Sequence, residues 1–288
     1  MEYAEGKFLG IGPEFTDPDT ARYAVLPVPY DGTASYLKGC AEGPAAIIAA
    51  SPQMEWIDDE LRIEAYRAGI ATLDAVEPCD DPAEMMSRIA AAARPVVQRG
   101  QFLLTLGGEH SIVGPVVREV VKKHGALSVL QIDAHTDLRD EFEGSPHSHA
   151  CVMRRVLEVT DSICQVGIRS FSEDELADLP GRIDAAITAR HVQDDPDWID
   201  RVLSMLDEKV YVTVDIDGLD PSIAPGVGTP EPGGLTWRNV TDLLRHVCRR
   251  REVVAADVVE TRPIPGQVTT EFLAARLAYK IIAYTQQG

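Results

Sequence analysis

The sequence predicts an α/β fold of three layers, α/β/α, built on a mostly parallel sheet of about eight strands. Three observations predict it. Short apolar, β-branched runs alternate with helix-period segments from near residue 22 to near residue 284, the pattern of strands joined by helical crossovers. Several of the runs are apolar throughout, as in strands buried on both sides. Three of them end in acids or histidines, and open parallel sheets bind ligands outside the carboxyl ends of their strands. No shift in composition marks a linker and no repeat is visible, so residues 1–288 read as one domain.

Taken in order, residues 22–28 (RYAVLPV) read as the first strand, followed by a Gly-rich loop, PYDGTASYLKGCAEGP. A helix over 45–50 follows with Pro44 at its head, a favoured first-turn position. Residues 51–64 are polar with a few aromatics and read as a surface cover, and 69–73 as a short edge strand. Over 82–100, Met85, Met86, Ile89, Ala93, Val96 and Val97 recur at helical spacing. The strand 102–106 (FLLTL) runs into Gly107, Gly108, Glu109 and His110, then a helix over 111–124. A strand over 127–132 precedes a helix over 150–158, a strand over 162–167 and a helix over 172–179. In that helix Ser172 stands at the N-cap with Glu175 three residues on. Strand 184–188, helix 195–207, strand 209–217, helix 236–250 capped by Thr236, strand 253–259 and helix 270–284 complete the chain.

Composition narrows the function. With 27 basic and 46 acidic residues the net charge is −19, which disfavours nucleic acid and anionic membranes and modestly favours small cations. No apolar run is long enough to span a bilayer, and MEYAEGKFLG lacks a signal peptide's basic start and apolar core. Five scattered cysteines without a C-x-x-C pair fit reduced thiols, hence a cytoplasmic setting.

The stretch LSVLQIDAHTDLRD carries the chemistry. Asp133, His135 and Asp137 occupy every second position, and in an extended chain such side chains point to one side. Two carboxylates about 4 Å apart repel by roughly 4 kcal/mol at an effective dielectric of 20, so a cation belongs among them. KVYVTVDID repeats the theme with Asp215 and Asp217, ahead of the breaker-rich loop GLDPSIAPGVGTPEPGGL. With His110, the strand ends supply four carboxylates and two imidazoles. That set suits two divalent ions of intermediate hardness, manganese best, with iron, cobalt, nickel or zinc as alternatives. Two such ions lower the pKa of a shared water, which makes hydrolysis the natural reaction class.

GGEHS, DAHTD and DIDGLDPSIAPGVGTPEPGGL, in that order, resemble the three signature blocks of the ureohydrolase (arginase/agmatinase) family. The resemblance extends from VPYDGTASYLKGCAEGPAAI to VVAADVVETRP, and it implies the arginase-like fold. It also implies two Mn2+ per subunit, one held by His110, Asp133, Asp137 and Asp215, the other by Asp133, His135, Asp215 and Asp217. Glu260 would pair with the substrate guanidinium, although by chemistry alone it reads equally as a structural acid. His149 would pass a proton to the leaving amine. His147 is its rival, and the small residue and helix after His149 favour the latter. Asp137 joins Glu260 and His149 as a catalytic group, while Thr229 borders the substrate as a wall. Glu109 stands where many relatives have Asp.

For the substrate, PEPGG and YDGTASYLKG look more like agmatinases, which cleave agmatine to putrescine and urea. Arginase-like members usually carry Asn where this chain has Arg139. That arginine would meet a substrate acid or pair with Asp140 or Glu141. Guanidinobutyrate, other linear guanidines and formiminoglutamate stay open as substrates, and so does a catalytically silent metal-binding paralogue. A two-metal phosphoesterase would need Arg or Lys clamps, and the motifs contain none. The resemblance further implies a homo-oligomer, a trimer or hexamer.

Overall fold

Eight of the apolar runs become strands because each can bury both faces. The structure is a computed structural model and describes residues 6–287. The first five residues of the N-terminal stretch read above for a signal lie outside it. The strands are β1 (Tyr23–Val28), β2 (Ile70–Thr72), β3 (Phe102–Gly107), β4 (Ser128–Ile132), β5 (Ile163–Ile168), β6 (Ile187–Thr188), β7 (Lys209–Asp215) and β8 (Glu252–Val259). They form one sheet in the order β2-β1-β3-β8-β7-β4-β5-β6, and every pairing is parallel.

The helices are α1 (Gly43–Ala50), α2 (Pro82–Arg99), α3 (Val113–His124), α4 (Val152–Val156), α5 (Glu173–Asp178), α6 (Pro180–Ala185), α7 (Ala189–Asp194), α8 (Trp198–Met205), α9 (Trp237–Arg250) and α10 (Thr269–Tyr284). Alternate strand residues face opposite layers. Val25, Leu104, Leu106 and Val212 pack with α1, α8, α9 and α10. Ala24, Leu26, Leu103 and Tyr211 pack with α2, α3 and α4. No helix among the described residues is long and apolar enough to cross a membrane.

The strand order places the site. After β3 the chain skips to β4, builds outward through β5 and β6, then returns to insert β7 and β8 between β4 and β3. The four central strands β3, β8, β7 and β4 thus open side by side at the point where the winding reverses.

Capping follows the sequence closely. Ser172 and Glu175 form a reciprocal capping box on α5, and Thr236 with Asn239 forms another on α9. Three expectations need correction. Of the strand foreseen over 184–188, only Ile187 and Thr188 join the sheet. Asp184 belongs to α6, which Pro180 starts at its first turn. The helix foreseen over 195–207 begins at Trp198, and a separate helix, α7, precedes it, capped by Thr188 and His191. Finally, residues 51–64 are no mere surface cover. Asp58 is buried and meets Lys280 Nζ of α10 at 2.9 Å.

Candidate active site

Each central strand delivers a polar group at or just past its carboxyl end. β3 leads to His110 in a 3₁₀ turn, and β4 to Asp133, His135 and Asp137. β7 ends at Asp215 with Asp217 in the following 3₁₀ turn, and β8 leads to Glu260. The convergence foreseen for Asp133, His135 and Asp137 is real, but its cause differs in part. His135 is extended and bridges to Ser170, whereas Asp137 is left-handed at φ +52°. Its carbonyl accepts from the backbone N–H of Met153 and Arg154 at the start of α4, which fixes the turn. Glu260 is left-handed too, at φ +62°, and its N–H donates to Gly108 O at 2.7 Å. Gly108 is needed there, since a Cβ would stand 2.0 Å from Tyr30 O. Non-glycine residues in this region cost about 1–3 kcal/mol each, and two of them flank one cavity.

Distances show how tightly the groups meet. His110 Nδ1 lies 3.0 Å from Asp133 Oδ2, 3.0 Å from Asp137 Oδ2 and 3.4 Å from Asp215 Oδ2. His135 Nδ1 lies 3.0 Å from Asp217 Oδ2 and 3.6 Å from Asp133 Oδ1. The donor atoms of His110, Asp133 and Asp137, and those of Asp133, His135 and Asp217, form two clusters that share Asp133.

The tautomer of His110 follows from what lies behind it. The Thr213 hydroxyl donates to Asp257 Oδ1 at 2.6 Å, and Tyr211 OH donates to Asp257 Oδ2 at 2.7 Å. Thr213 Oγ1 therefore accepts from His110 Nε2–H, 2.9 Å away. In the neutral ring that leaves Nδ1 as a lone pair, buried and facing three carboxylate oxygens, and although burial opposes charge on the ring, Asp133 and Asp137 outweigh it and raise its pKa well above the ordinary value while no cation is there. A bare imidazole nitrogen among anions is a ligand set for a cation. Gln131 Nε2 braces Asp133 at 2.6 Å and is itself held by Gln165. Thr229 Oγ1 donates to Asp217 Oδ2 at 3.2 Å.

Electrostatics agree. Burial, then the charge of Asp133, pushes Asp137 up to about 7. Burial, then Asp217, Asp133 and Glu260, holds Asp215 well above the carboxylate range. Burial opposes charge on His135, but Asp217 and Asp133 outweigh it and push the imidazole up to about 12. Asp133 moves the other way, because His110 and His135 outweigh its burial. Protons thus take the place of positive charge that the cluster requires, and divalent ions fit this donor set.

Glu260 faces the cluster across a cavity of about 220 Å³ that His149 and Thr229 also line. Its Oε1 accepts from His110 N–H at 2.8 Å and its Oε2 from the Cys40 thiol at 3.1 Å. Burial, then Glu109, pushes it up to about 8. His149 lines the cavity while His147 does not. Its N–H donates to Thr33 Oγ1 at 3.0 Å, and Thr33 in turn donates to Glu109. Glu109 therefore ties the first loop to His149 and does not reach the acid cluster. Burial lowers the His149 pKa. Arg139 lines the cavity with its guanidinium 4.7 Å from the Phe142 ring centroid. Of the partners open to Arg139, Asp140 is taken by other arginines. Asp140 meets Arg155 at 2.5 Å and Arg154 at 3.7 Å.

Some contributors escaped sequence reasoning. Arg169, just past β5, donates to the carbonyls of Asp217, Gly218, Glu231 and Pro232, locking the Asp217 turn to the Gly/Pro-rich loop. Its signal, a lone arginine after a buried strand, is weak. Asp257 carried a better one, an acid inside an otherwise apolar run.

The arginase family pattern matches residues 21–283. The chain is 40% identical over 272 residues to the N(1)-aminopropylagmatine ureohydrolase of Synechocystis sp., covering 92% of this chain and 89% of that one. It is 32% identical over 271 residues to the agmatinase of Bacillus anthracis, covering 91% and 90%. The crystal structure of the agmatine ureohydrolase of Thermoplasma volcanium superimposes with a TM-score of 0.88 at 32% identity, covering 96% and 94%.

Proposed function

The chain belongs to the arginase family, hydrolases of guanidino C–N bonds, and from that premise we propose that it cleaves agmatine to putrescine and urea. The observation that carries this reading is His110 Nδ1 facing three carboxylates, with Glu260 across the same cavity. His110, Asp133, Asp137 and Asp215 would hold one Mn2+, and Asp133, His135, Asp215 and Asp217 the second. When bound, the ions supply water of lowered pKa at neutral pH.

The chain's own groups do the rest. Glu260 receives the flat guanidinium, and the Cys40 and His110 donors keep its carboxylate aimed. Thr229 steadies Asp217. Asp137 accepts the proton as water adds to the guanidinium carbon. The departing nitrogen needs a proton before its bond to that carbon breaks, and His149 supplies it. Burial lowers the pKa of His149, so its resting ring is neutral, and the proton it gives to the departing nitrogen is the one that Asp137 took from water. Urea and an amine result.

A second substrate has support of its own. Three relatives named N(1)-aminopropylagmatine ureohydrolases are 39–40% identical to this chain and a fourth is 32% identical, against 31–33% for four named agmatinases. An aminopropyl extension leaves the guanidinium end unchanged, so the same machinery serves both. One domain, a homo-oligomer and a cytoplasmic setting complete the proposal, and five cysteines without a disulfide support the last.

Urea release with manganese from agmatine, aminopropylagmatine, arginine and guanidinobutyrate tests it. Turnover of the two amine-tailed guanidines well above the other two is expected. Preference for arginine or guanidinobutyrate would replace the substrate. No turnover of any guanidine with both ions bound would favour a silent paralogue.

A further inference from the structure

The cavity has a floor and a mouth of different chemistry. Its acids are all engaged. Asp137, Asp215 and Asp217 belong to the cluster, and Glu260 faces the guanidinium. Glu175 accepts from the Thr136 hydroxyl at 2.7 Å, Leu138 N–H at 2.8 Å, and the N–H and hydroxyl of Ser172 at 2.7 and 2.8 Å. A cationic tail reaching outward therefore meets no free carboxylate among the residues that line the cavity. It meets rings instead. Tyr36 is 70% exposed and Phe171 47%, two of the few large apolar side chains the described residues leave open, and both line the cavity. A third ring there, Phe142, is already covered by the Arg139 guanidinium, whose charge bars a second cation from that face.

We propose that Tyr36 and Phe171 form the subsite for the positively charged tail of the substrate, recognising it by cation–π attraction rather than by an ion pair. This rests on the guanidine-hydrolase reading above. An aromatic face holds an ammonium over a range of positions, whereas a carboxylate fixes it at hydrogen-bond distance. Such a mouth accepts an amine four carbons from the guanidine and a longer tail with a secondary amine alike. The two rings give no purchase to a tail that ends in a carboxylate, for which Arg139 is the only arginine or lysine among the described residues that line the cavity.

The test compares agmatine with pentylguanidine, which replaces the ammonium by a methyl group of similar size, on the manganese-loaded full chain. Preference is read as the ratio of kcat/KM values, or against the Ki of pentylguanidine where it is not turned over. The unsubstituted chain is expected to prefer agmatine. The double variant Tyr36→Leu, Phe171→Leu should lower that preference about 3- to 30-fold, and Tyr36→Phe, which keeps the ring, should retain it. Both side chains are surface-exposed, so the variants fold. A preference that the double variant leaves unaltered would overturn the subsite, whether both substrates suffer equally or neither does. So would an unsubstituted chain that shows no preference. Failure of the unsubstituted chain on every guanidine would overturn the parent reading, and the subsite with it.

Discussion

Two clusters of charge in this molecule are built on opposite terms. On α10, Lys280 is only 2% exposed, yet its ammonium meets Asp58 at 2.9 Å, Asp59 at 2.6 Å and Glu60 at 2.9 Å. Tyr284 donates to Glu60 and Arg245 pairs with it. Every charge there has a partner within the chain. At the carboxyl ends of β3, β8, β7 and β4, five carboxylates share two imidazoles, and two of the acids sit on left-handed backbone. The first arrangement is complete as folded and ties the 51–64 segment to the last helix. The second is complete only with cations added. Compensated charge marks architecture, and uncompensated charge marks chemistry.

The comparison breaks most cleanly at Asp133, whose oxygens serve both halves of the acid cluster. Asp133→Ala should abolish urea release, by at least a thousandfold, and remove bound metal, as read by elemental analysis of the purified protein. Two ions per chain with retained turnover would show that the cluster is ordinary structural charge. Lys280→Met should do the reverse. Stranding Asp58 without its ammonium should cost about 3 kcal/mol of stability, seen as a lower denaturant midpoint, while the metal count of the folded protein stays the same. Loss of metal in Lys280→Met would erase the distinction between the two clusters.

Acidity sharpens the contrast further. In metal-free protein Asp137 and Glu260 are raised from 3.8 and 4.5 to about 7 and about 8. Groups raised on folding favour the folded state while protonated, so metal-free protein should lose stability as pH rises from about 4 through 8. Asp59 and Glu60 are lowered instead. Lys280's hydrogen bond leads for Asp59, and for Glu60 Tyr284 and Lys280 outweigh burial. Their contribution is present above the ordinary carboxylate range and fades as pH falls below it. Melting curves with and without chelator across pH 4–9 separate the two. Chelation should lower Tm most at the alkaline end, and an equal drop at all pH values would contradict the assignment.

How much of this was legible in the sequence depended on whether the signal was local. Asp133, His135, Asp137, Asp215 and Asp217 each follow a β-branched run directly, so strand ends and metal-competent spacing could be read together. The caps at Ser172 and Thr236 were equally local. The strand foreseen over 184–188 shrinks to Ile187 and Thr188 because DAAIT carries too few β-branched residues to outweigh Pro180, which starts a helix just before it. Lys280 and Asp58 lie 222 positions apart, and nothing in either neighbourhood announces the other. Arg169 escaped for a related reason. Its partners are backbone carbonyls, which leave no trace in residue type.

The smallest predicted effect concerns Thr229. Thr229→Val removes one hydrogen bond to Asp217, worth about 1 kcal/mol, and should weaken manganese binding roughly fivefold with kcat nearly kept at saturating metal. A collapse of kcat at saturating metal would move Thr229 from a wall of the cavity into the chemistry.

Anomalous diffraction from crystals soaked in manganese addresses the central claim most directly. Two peaks are expected inside the ring of His110, Asp133, His135, Asp137, Asp215 and Asp217, with Asp133 touching both. A single peak, or peaks that avoid His110 Nδ1 and His135 Nδ1, would contradict the account.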